Sequence, residues 1–314
     1  MKTLIIDSHK SSDDSEQQSL HWQNARIVAN HLGADLIWSY PYVNDNIRTG
    51  YDAIIFCHSS QYAFISDEWL HLNKNAKLFY MMNDYSIGEP MLLWKFAKEG
   101  RHYDVIANHD REYSSKIVKK YTSRWLTTNL NSIITNRDLY LNFKSEGLFG
   151  DIYRNKACVY YGTFRRGRIE SIRRLLSGCV ISTHQKNRPL FKRNGSGNNF
   201  TDRLDLNGGD LSRYMASLYI EDDATHTDYS CLANRFYEAI NSRTHMLYDK
   251  RCMNTYEKSG YLKYIPEQLM VENADDIKKA LQYAEQCEFD DRLITEAENE
   301  RTNCLDEITR FIAS

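Results

Sequence analysis

The chain has 314 residues, of which 42% are hydrophobic and 26% charged, and this composition is that of a globular protein and excludes a mainly disordered one. The formal net charge of −2 excludes the large basic excess of a general polyanion binder, although a local basic face remains compatible with it. A chain of this length is sufficient for two α/β domains.

The seven cysteines are isolated from one another in the sequence, and their number is odd. No pair forms C-x-x-C, so we predict reduced core residues and neither a disulfide nor a metal site. The apolar run in "MKTLIIDSHK" is too short for a signal peptide, and no segment reaches the length of a membrane span. We therefore expect a soluble cytoplasmic protein with no membrane partner. A monomer is also expected.

Apolar runs alternate with helical patterns through the first half of the chain. Strands are predicted for "KTLIID", "ADLIWSY", "YDAIIFCHS", "AKLFYMMND", "YDVIANHD" and "SRWLTTNL". Helices are predicted for "SLHWQNARIVANHLG", "DEWLHLNKNA", "PMLLWKFAKEG" and "REYSSKIVKKY". Near-continuous apolar strands separated by helices are typical of a parallel sheet. This pattern predicts a Rossmann-like domain over residues 1–150, which ends in a polar connection near residues 131–155.

The same alternation returns in the second half. After the strand "KACVYYG" come a basic helix, the strand "CVISTHQ", a Gly/Asn-rich stretch over residues 192–210 that predicts a long mobile loop, and the strand of "RYMASLYIEDD". The acidic residues 221–223 predict a turn, with contact to a ligand as the alternative. We predict a second Rossmann-like domain over residues 151–290 and a helix over residues 291–314 that crosses back to the first domain. The fold class is thus α/β, with two Rossmann-like domains facing a central cleft.

A glycine and three arginines follow the first strand of the second domain. In "YYGTFRRGRIESIRRLL", Gly162 ends the strand, and Arg165, Arg166 and Arg168 begin the next helix. Cations at a helix N-terminus are unfavourable unless an anion lies between them, and guanidinium groups match phosphate oxygens. The pattern predicts a diphosphate site. The alternative is a basic surface helix in which Glu170 is one of the partners.

A second candidate lies in "ANRFYEAINSRTHMLYD", residues 233–249. Its helix carries Glu238, and a carboxylate can accept hydrogen bonds from both hydroxyls of a ribose. The alternative is an exposed glutamate paired with Arg235 three residues earlier. Because both candidates follow strands of one predicted domain, together they favour a nucleotide-binding site.

These two elements resemble those of the GT-B nucleotide-sugar glycosyltransferases, and in particular the DNA α-glucosyltransferases of T-even phages. The segments that carry the resemblance are "YYGTFRRGR" and "RFYEAINSRTHMLY". It implies that the arginines hold the diphosphate of a UDP-sugar donor, with the pairing of arginines and phosphates left open, and that Glu238 holds the ribose. The donor-binding candidates are Gly162, Arg165, Arg166, Arg168, His184, Ser230 and Glu238.

The first domain carries the candidates for the reaction itself. "KLFYMMNDYS" resembles the family's strand that ends in an acid at the catalytic cleft, which makes Asp84 the catalytic candidate. A carboxylate there can take a proton from an acceptor hydroxyl or stabilise the positive charge that develops on a sugar. The alternative is that Asp84 caps the turn before a helix. The acceptor-side candidates are His58, His109 and Asp110.

The resemblance implies a glycosyltransferase that moves glucose, or a pentose such as arabinose, from a UDP-sugar to 5-hydroxymethylcytosine in double-stranded phage DNA. The enzyme would then act in the cytoplasm of the host cell, and no metal is implied. Cations beside an aromatic residue favour contact with DNA phosphates, with a solvated loop as the alternative. These candidates are Lys186, Arg188, Lys192 and Arg193. The alternatives in function are a glycan or lipid-linked acceptor, or a non-catalytic nucleotide-sugar-binding protein.

Overall fold

A computed structural model describes residues 1–7, 20–38, 49–57, 67–82, 103–108, 122, 124–135, 154–204, 209–223, 226 and 232–314. The chain divides into two compact units, Met1–Ile134 with Asn299–Ser314, and Thr135–Glu298. From the sequence, the first domain was expected to end at residue 150 and the second at residue 290. Each unit contains a six-stranded sheet, and every strand pairing is parallel. The predicted α/β class with two Rossmann-like domains is therefore confirmed.

The first sheet has the strand order β2-β1-β3-β4-β5-β6. Its strands are β1 (Thr3–Asp7), β2 (Asp35–Trp38), β3 (Ala53–Phe56), β4 (Lys77–Met82), β5 (Tyr103–Asn108) and β6 (Trp125–Thr128). Two described helices lie between them in sequence, α1 (Leu20–Leu32) and α2 (Asp67–Leu72). Each predicted strand of the first half is thus present.

The second sheet has the order β12-β11-β10-β7-β8-β9. Its strands are β7 (Asn155–Tyr161), β8 (Val180–Ser182), β9 (Phe200–Thr201), β10 (Tyr214–Tyr219), β11 (His245–Asp249) and β12 (Met270–Val271). The described helices of this half are α3 (Ile169–Leu175), α4 (Arg188–Arg193), α5 (Asn234–Asn241), α6 (Met253–Lys258), α7 (Ala274–Gln286) and α8 (Asp291–Ala313).

Both faces of the first sheet are buried. Neighbouring residues of a strand point to opposite faces of the sheet, and alternate strand residues belong to two different core clusters. Leu4 and Ile6 belong to one core cluster, whereas Ile5 between them belongs to the other. The second cluster includes four residues of α8, namely Cys304, Leu305, Ile308 and Ile312. Arg124 beside β6 forms an ion pair with Asp104 and donates a hydrogen bond to the carbonyl of Phe311 near the end of α8. The C-terminal residues of α8 are thus part of the first unit's core.

The strand order of the second sheet locates its binding edge. From β7 the chain proceeds outward to β8 and β9, and then returns to the other side of β7 as β10. The carboxyl ends of β7 and β10 therefore form the point at which the strand order reverses. Doubly wound sheets bind their ligands at this position, because the connections leave the two strands on opposite faces and open a crevice there.

The segment after β8 is more ordered than the predicted mobile loop. Residues 188–193 form α4, and Phe200–Thr201 forms the edge strand β9. Pro189 occupies the first turn of α4, where a missing backbone N–H costs nothing. Phe191 is fully buried, and its ring centroid lies 6.0 Å from that of Tyr160. This buried aromatic contact fixes a helix next to residues whose Gly/Asn-rich composition indicated a loop.

Several cysteines take part in the two cores. Cys57, Cys158, Cys179, Cys252 and Cys304 are buried with free thiols. Among the helices that the structure describes, none is both long enough and apolar enough to cross a lipid bilayer.

Candidate functional site

A buried group of opposite charges lies at the reversal point of the second sheet. Glu221, two residues beyond β10, is only 4% exposed and lies between two guanidinium groups. Its Oε2 atom is 2.7 Å from Nη2 of Arg168, and its Oε1 atom is 2.7 Å from Nε of Arg235. Asp222 extends the group, with Oδ2 3.2 Å from Nη2 of Arg168 and 3.0 Å from Nη1 of Arg165.

Arg168, which is buried, and Arg235, whose side chain is 12% exposed, remain charged. Burial by itself lowers the pKa of a guanidinium group, because it penalises the charged form. The carboxylate of Glu221 outweighs this effect and raises the pKa of both Arg168 and Arg235 above the ordinary value. Two permanent positive charges are therefore held at the carboxyl edge of the sheet.

The guanidinium groups point toward the glycine that follows β7. Gly162 has φ +142°, a conformation that side-chain-bearing residues rarely adopt. A Cβ atom there would lie 3.7 Å from Nη2 of Arg235, 3.9 Å from Nη1 of Arg168 and 3.6 Å from the hydroxyl of Tyr160. Within the part of the chain that the structure describes, Nη2 of Arg235 has no hydrogen-bond partner. The space beside Gly162 is thus lined by donors suited to an anion.

A carboxylate lies across the end of β7 from this group. The hydroxyl of Tyr161 donates a 2.8 Å hydrogen bond to Oε2 of Glu238. Burial raises the pKa of Glu238, and the hydrogen bond from Tyr161 and the charge of Arg235 offset part of this effect. Glu238 is not within ion-pair distance of Arg235, which pairs with Glu221 instead. The ion pair that the sequence offered as an alternative is therefore not formed.

An open pocket shares Tyr161 and Gly162 with these two groups. Its wall contains Gly162 and His184, and one ring nitrogen of His184 lies 3.3 Å from Nη1 of Arg203. Thr183 also lines the pocket, and its hydroxyl donates a 2.8 Å hydrogen bond to the carbonyl of Gly162. The complete lining is Tyr161, Gly162, Thr163, Ser182, Thr183, His184, Arg203 and Leu204.

The predicted donor residues do not all occupy equivalent positions. Gly162, Arg168, His184 and Glu238 lie at this edge of the second sheet. Arg165 lies at its margin, where its side chain is 59% exposed and paired with Asp222. Arg166 is exposed. The remaining candidates lie outside the described residues, namely Asp84, His58, His109, Asp110 and Ser230.

The four DNA-contact candidates lie close together in the sequence on two short elements. Lys186 belongs to the turn Gln185–Asn187, and the others belong to α4. Lys186, Lys192 and Arg193 are exposed. Arg188 differs from them, because it pairs with Asp202 at 2.9 Å and donates a 3.0 Å hydrogen bond to the carbonyl of Thr201. Its charge is thus already compensated within the protein.

Sequence reasoning did not place Arg235 or Tyr161 in this site, and for Glu221 it favoured an acidic turn over contact with a ligand. Arg235 was interpreted only as a partner of Glu238, and Tyr161 only as a strand residue. Knowledge of the strand order would have indicated these residues. Tyr161 ends β7, Glu221 follows β10 and Arg235 lies on α5, and β7 and β10 meet at the reversal point. Among the described residues, no cluster of three or more histidine, cysteine or acidic side chains is placed to hold a metal.

Neither a protein-family model nor a curated protein matches the chain. Among solved structures it is similar to a UDP-glucosyltransferase from Polygonum tinctorium that glucosylates indoxyl, with 9% identity, a TM-score of 0.37, and 100% of this chain and 99% of that chain covered. UGT2 of Phytolacca americana, solved with UDP-2-fluoro-glucose and pterostilbene, gives 8% identity and a TM-score of 0.35 over 98% and 94% of the two chains.

A solute-binding protein of an ABC transporter system from Aeropyrum pernix K1 is also similar, with 9% identity and a TM-score of 0.26 over 98% of this chain and 91% of that chain. Likenesses at this level do not assign an activity.

Replacing Glu221 by alanine is expected to destabilise the protein strongly. The substitution leaves the guanidinium groups of Arg168 and Arg235 without their shared partner, and breaking a buried ion pair costs about 3–5 kcal/mol. The measurement is the free energy of unfolding from a urea titration followed by circular dichroism. The control is Glu257→Ala on the exposed side of α6, with an expected change within about 0.5 kcal/mol. Equal losses in the two variants would contradict the central role of Glu221.

Replacing Glu238 by glutamine is expected to change how stability depends on pH. Because the folded-state pKa of Glu238 lies above its ordinary value of 4.5, the folded protein binds this proton more tightly than the unfolded chain. The natural protein therefore loses stability as the pH rises from 4.5 through the folded-state pKa. Glutamine does not titrate, so the stability of the variant relative to the natural protein should rise over that window.

The matched control for this experiment is Glu257→Gln, at an exposed carboxylate. Its stability relative to the natural protein should stay constant over the same pH range, since all other groups titrate alike in both proteins. A relative stability of Glu238→Gln that falls with rising pH would show that the folded protein favours the ionised carboxylate.

Proposed function

We propose that this protein is a GT-B glycosyltransferase that transfers a sugar from a UDP-sugar to 5-hydroxymethylcytosine in double-stranded phage DNA. The sugar is glucose or a pentose such as arabinose. The observation that carries the proposal is the convergence of Arg168 and Arg235 beside Gly162, with the carboxylate of Glu238 on the other side of Tyr161. A nucleoside diphosphate has the complementary pattern, with anionic oxygens at one end and ribose hydroxyls at the other.

The diphosphate is assigned to the space beside Gly162. Nη2 of Arg235 and Nη1 of Arg168 both face this space, and guanidinium donors form short, strong hydrogen bonds with phosphate oxygens. Among the described residues, Arg165, Arg168 and Arg235 form ion pairs with Glu221 and Asp222. The exposed Arg165 can turn toward an anion at this edge. Arg166, also exposed, remains a further candidate for this anion.

The nucleoside is assigned to the adjoining pocket. Oε2 of Glu238 is engaged by Tyr161, whereas Oε1 has no hydrogen-bond partner within the described ranges. A ribose hydroxyl can donate to that oxygen, as ribose hydroxyls do to acidic residues in dinucleotide sites. His184 and Arg203 line the pocket beside Gly162 and offer a ring face and a cation to the base, with Ser230 as a further donor-side candidate.

The acceptor reaction is assigned to the first unit. Asp84 follows β4 by two residues and is proposed to take the proton from the hydroxymethyl oxygen as that oxygen forms a bond to the anomeric carbon of the sugar. The bond between the anomeric carbon and the β-phosphate oxygen breaks, and UDP leaves with its electron pair. His58, His109 and Asp110 are proposed to contact the acceptor. A base in duplex DNA is reached in the major groove or after it flips out of the stack. Lys186, Arg188, Lys192 and Arg193 are proposed to contact the DNA phosphates.

The transfer reaction provides the direct test. The protein is incubated with DNA that contains 5-hydroxymethylcytosine and with a panel of labelled UDP-sugars, and label in the polymer is measured. We expect label from UDP-glucose or from one UDP-pentose. Asp84→Ala should lower the transfer rate by about 10²–10⁴-fold, the contribution of a positioned base, and leave UDP affinity unchanged. The control Glu68→Ala, at an exposed position of α2, should retain the rate.

Three other outcomes would contradict the proposal in different ways. Free UDP without labelled DNA would indicate a glycan or lipid-linked acceptor, or water. UDP binding without transfer or hydrolysis would indicate a nucleotide-sugar-binding protein. Full activity of Asp84→Ala would remove Asp84 from the mechanism and leave the donor site untouched.

The contribution of the exposed cations is tested by the salt dependence of DNA binding. The plot of log affinity against log salt concentration has a negative slope, and each lost phosphate contact reduces the magnitude of that slope by about 0.9 for duplex DNA. We expect the triple variant Lys186→Ala, Lys192→Ala, Arg193→Ala to reduce this slope by about 2–3 and to leave UDP affinity unchanged. The control replaces the exposed Lys263, Lys278 and Lys279 by alanine. Absence of DNA binding by the natural protein at both low and high salt would exclude the DNA acceptor.

A further inference from the structure

Tyr161, at the end of β7, both donates hydrogen bonds to residues of α5 and accepts one from them. Its hydroxyl lies 2.8 Å from Oε2 of Glu238 and 3.3 Å from the carbonyl oxygen of Arg235. In return, Nη1 of Arg235 donates a 3.4 Å hydrogen bond to the carbonyl of Tyr161. The guanidinium of Arg235 also lies over the Tyr161 ring, 5.7 Å from its centroid. The phenol therefore stands between the cationic group and the carboxylate.

The hydroxyl of Tyr161 restricts the orientation of the Glu238 carboxylate. With Oε2 engaged, the plane of the carboxylate is held, and Oε1 is the acceptor left for a ligand. Two cations compete for this carboxylate, because the charges of Arg235 and Arg203 both act on it. Without the phenol, attraction to either guanidinium, or hydration, can rotate the carboxylate away from the ligand.

We propose that Tyr161 is a positioning residue that makes the site select ribonucleotides over 2′-deoxyribonucleotides. It does so through Glu238, whose oriented Oε1 accepts a hydrogen bond from the ribose 2′-hydroxyl. A 2′-deoxyribose lacks that donor and leaves a partly buried carboxylate oxygen unpaired, which lowers affinity. This inference rests on the proposed nucleotide-binding function and adds the residue that determines sugar selectivity in the nucleotide.

Phenylalanine at this position isolates the effect of the hydroxyl. The ring remains under the guanidinium of Arg235, and the backbone carbonyl still accepts from Nη1. The donors beside Gly162 belong to Arg168, Arg235 and Tyr160, and none of them is the Tyr161 hydroxyl. Tyr161→Phe should therefore change recognition of the ribose and not recognition of the phosphates.

The experiment measures the affinities of the full chain for UDP, 2′-deoxy-UDP and inorganic pyrophosphate. The natural protein should bind UDP about tenfold more tightly than 2′-deoxy-UDP, the effect of one hydrogen bond to a charged acceptor. In Tyr161→Phe this ratio should fall to about one, and pyrophosphate affinity should stay within about twofold, since the phosphate donors are unchanged. The control Tyr256→Phe removes another buried hydroxyl, which donates to the carbonyl of Asp249, and should retain the ratio.

The other outcomes overturn the inference, and they distinguish it from the proposed function. The role of Tyr161 is overturned if Tyr161→Phe keeps the preference for UDP over 2′-deoxy-UDP, or if the natural protein binds both nucleotides equally. Neither result contradicts the nucleotide site itself. Parallel loss of UDP and pyrophosphate binding shows that the hydroxyl is merely structural. A natural protein that binds none of the three probes overturns the nucleotide site and this inference together.

A second variant covers the case in which Tyr161→Phe does not fold. Glu238→Asp shortens the side chain by one methylene group, so the carboxylate no longer reaches both the Tyr161 hydroxyl and the ribose. The ratio should fall to about one with pyrophosphate affinity unchanged, because the phosphate donors are untouched. A ratio that is retained in Glu238→Asp also overturns the inference.

Discussion

Glu221 lies between Arg168 and Arg235, and each of its carboxylate oxygens faces one guanidinium group at 2.7 Å. The three residues come from distant parts of the chain, namely the turn after β7, the end of β10 and the start of α5. Buried charges lose their hydration, so such a group persists only where every charge has a partner. The position of the two guanidinium groups beside Gly162 therefore depends on this one carboxylate.

The remainder of the site is arranged around that group. Gly162 carries no side chain and therefore leaves space beside the guanidinium groups. Its φ of +142° is a conformation that other residues rarely adopt. Tyr161 separates the cations from Glu238 and holds the carboxylate by a hydrogen bond. Positive charge on one side and a single acid on the other are the complement of a nucleoside diphosphate, and this separation of charge is the basis of the proposed donor site.

Much of the fold and part of the site were predictable from the sequence. Apolar periodicity predicted every strand of the first sheet and β7, β8 and β10 of the second, because a parallel strand buried on both faces has to be apolar along its whole length. The edge strand β9 was not predicted, since it lies in the stretch interpreted as a loop. Gly162 and Glu238 were proposed as site residues because glycine after a strand and an acid on an amphipathic helix are local patterns. The helix over residues 188–193 was missed, since the buried ring contacts of Phe191 that hold it are not local.

By itself, the sequence determined the α/β class, the two-domain repeat of strands and helices, and the residue types available at the strand ends. Only the tertiary structure decided which charges meet. Arg235 pairs with Glu221 and not with Glu238, although Glu238 is one helical turn away and Glu221 is distant in sequence. The physical reason is that hydrophobic periodicity is a property of neighbours along the chain, whereas ion pairing depends on strand order, which brings the ends of β7 and β10 side by side.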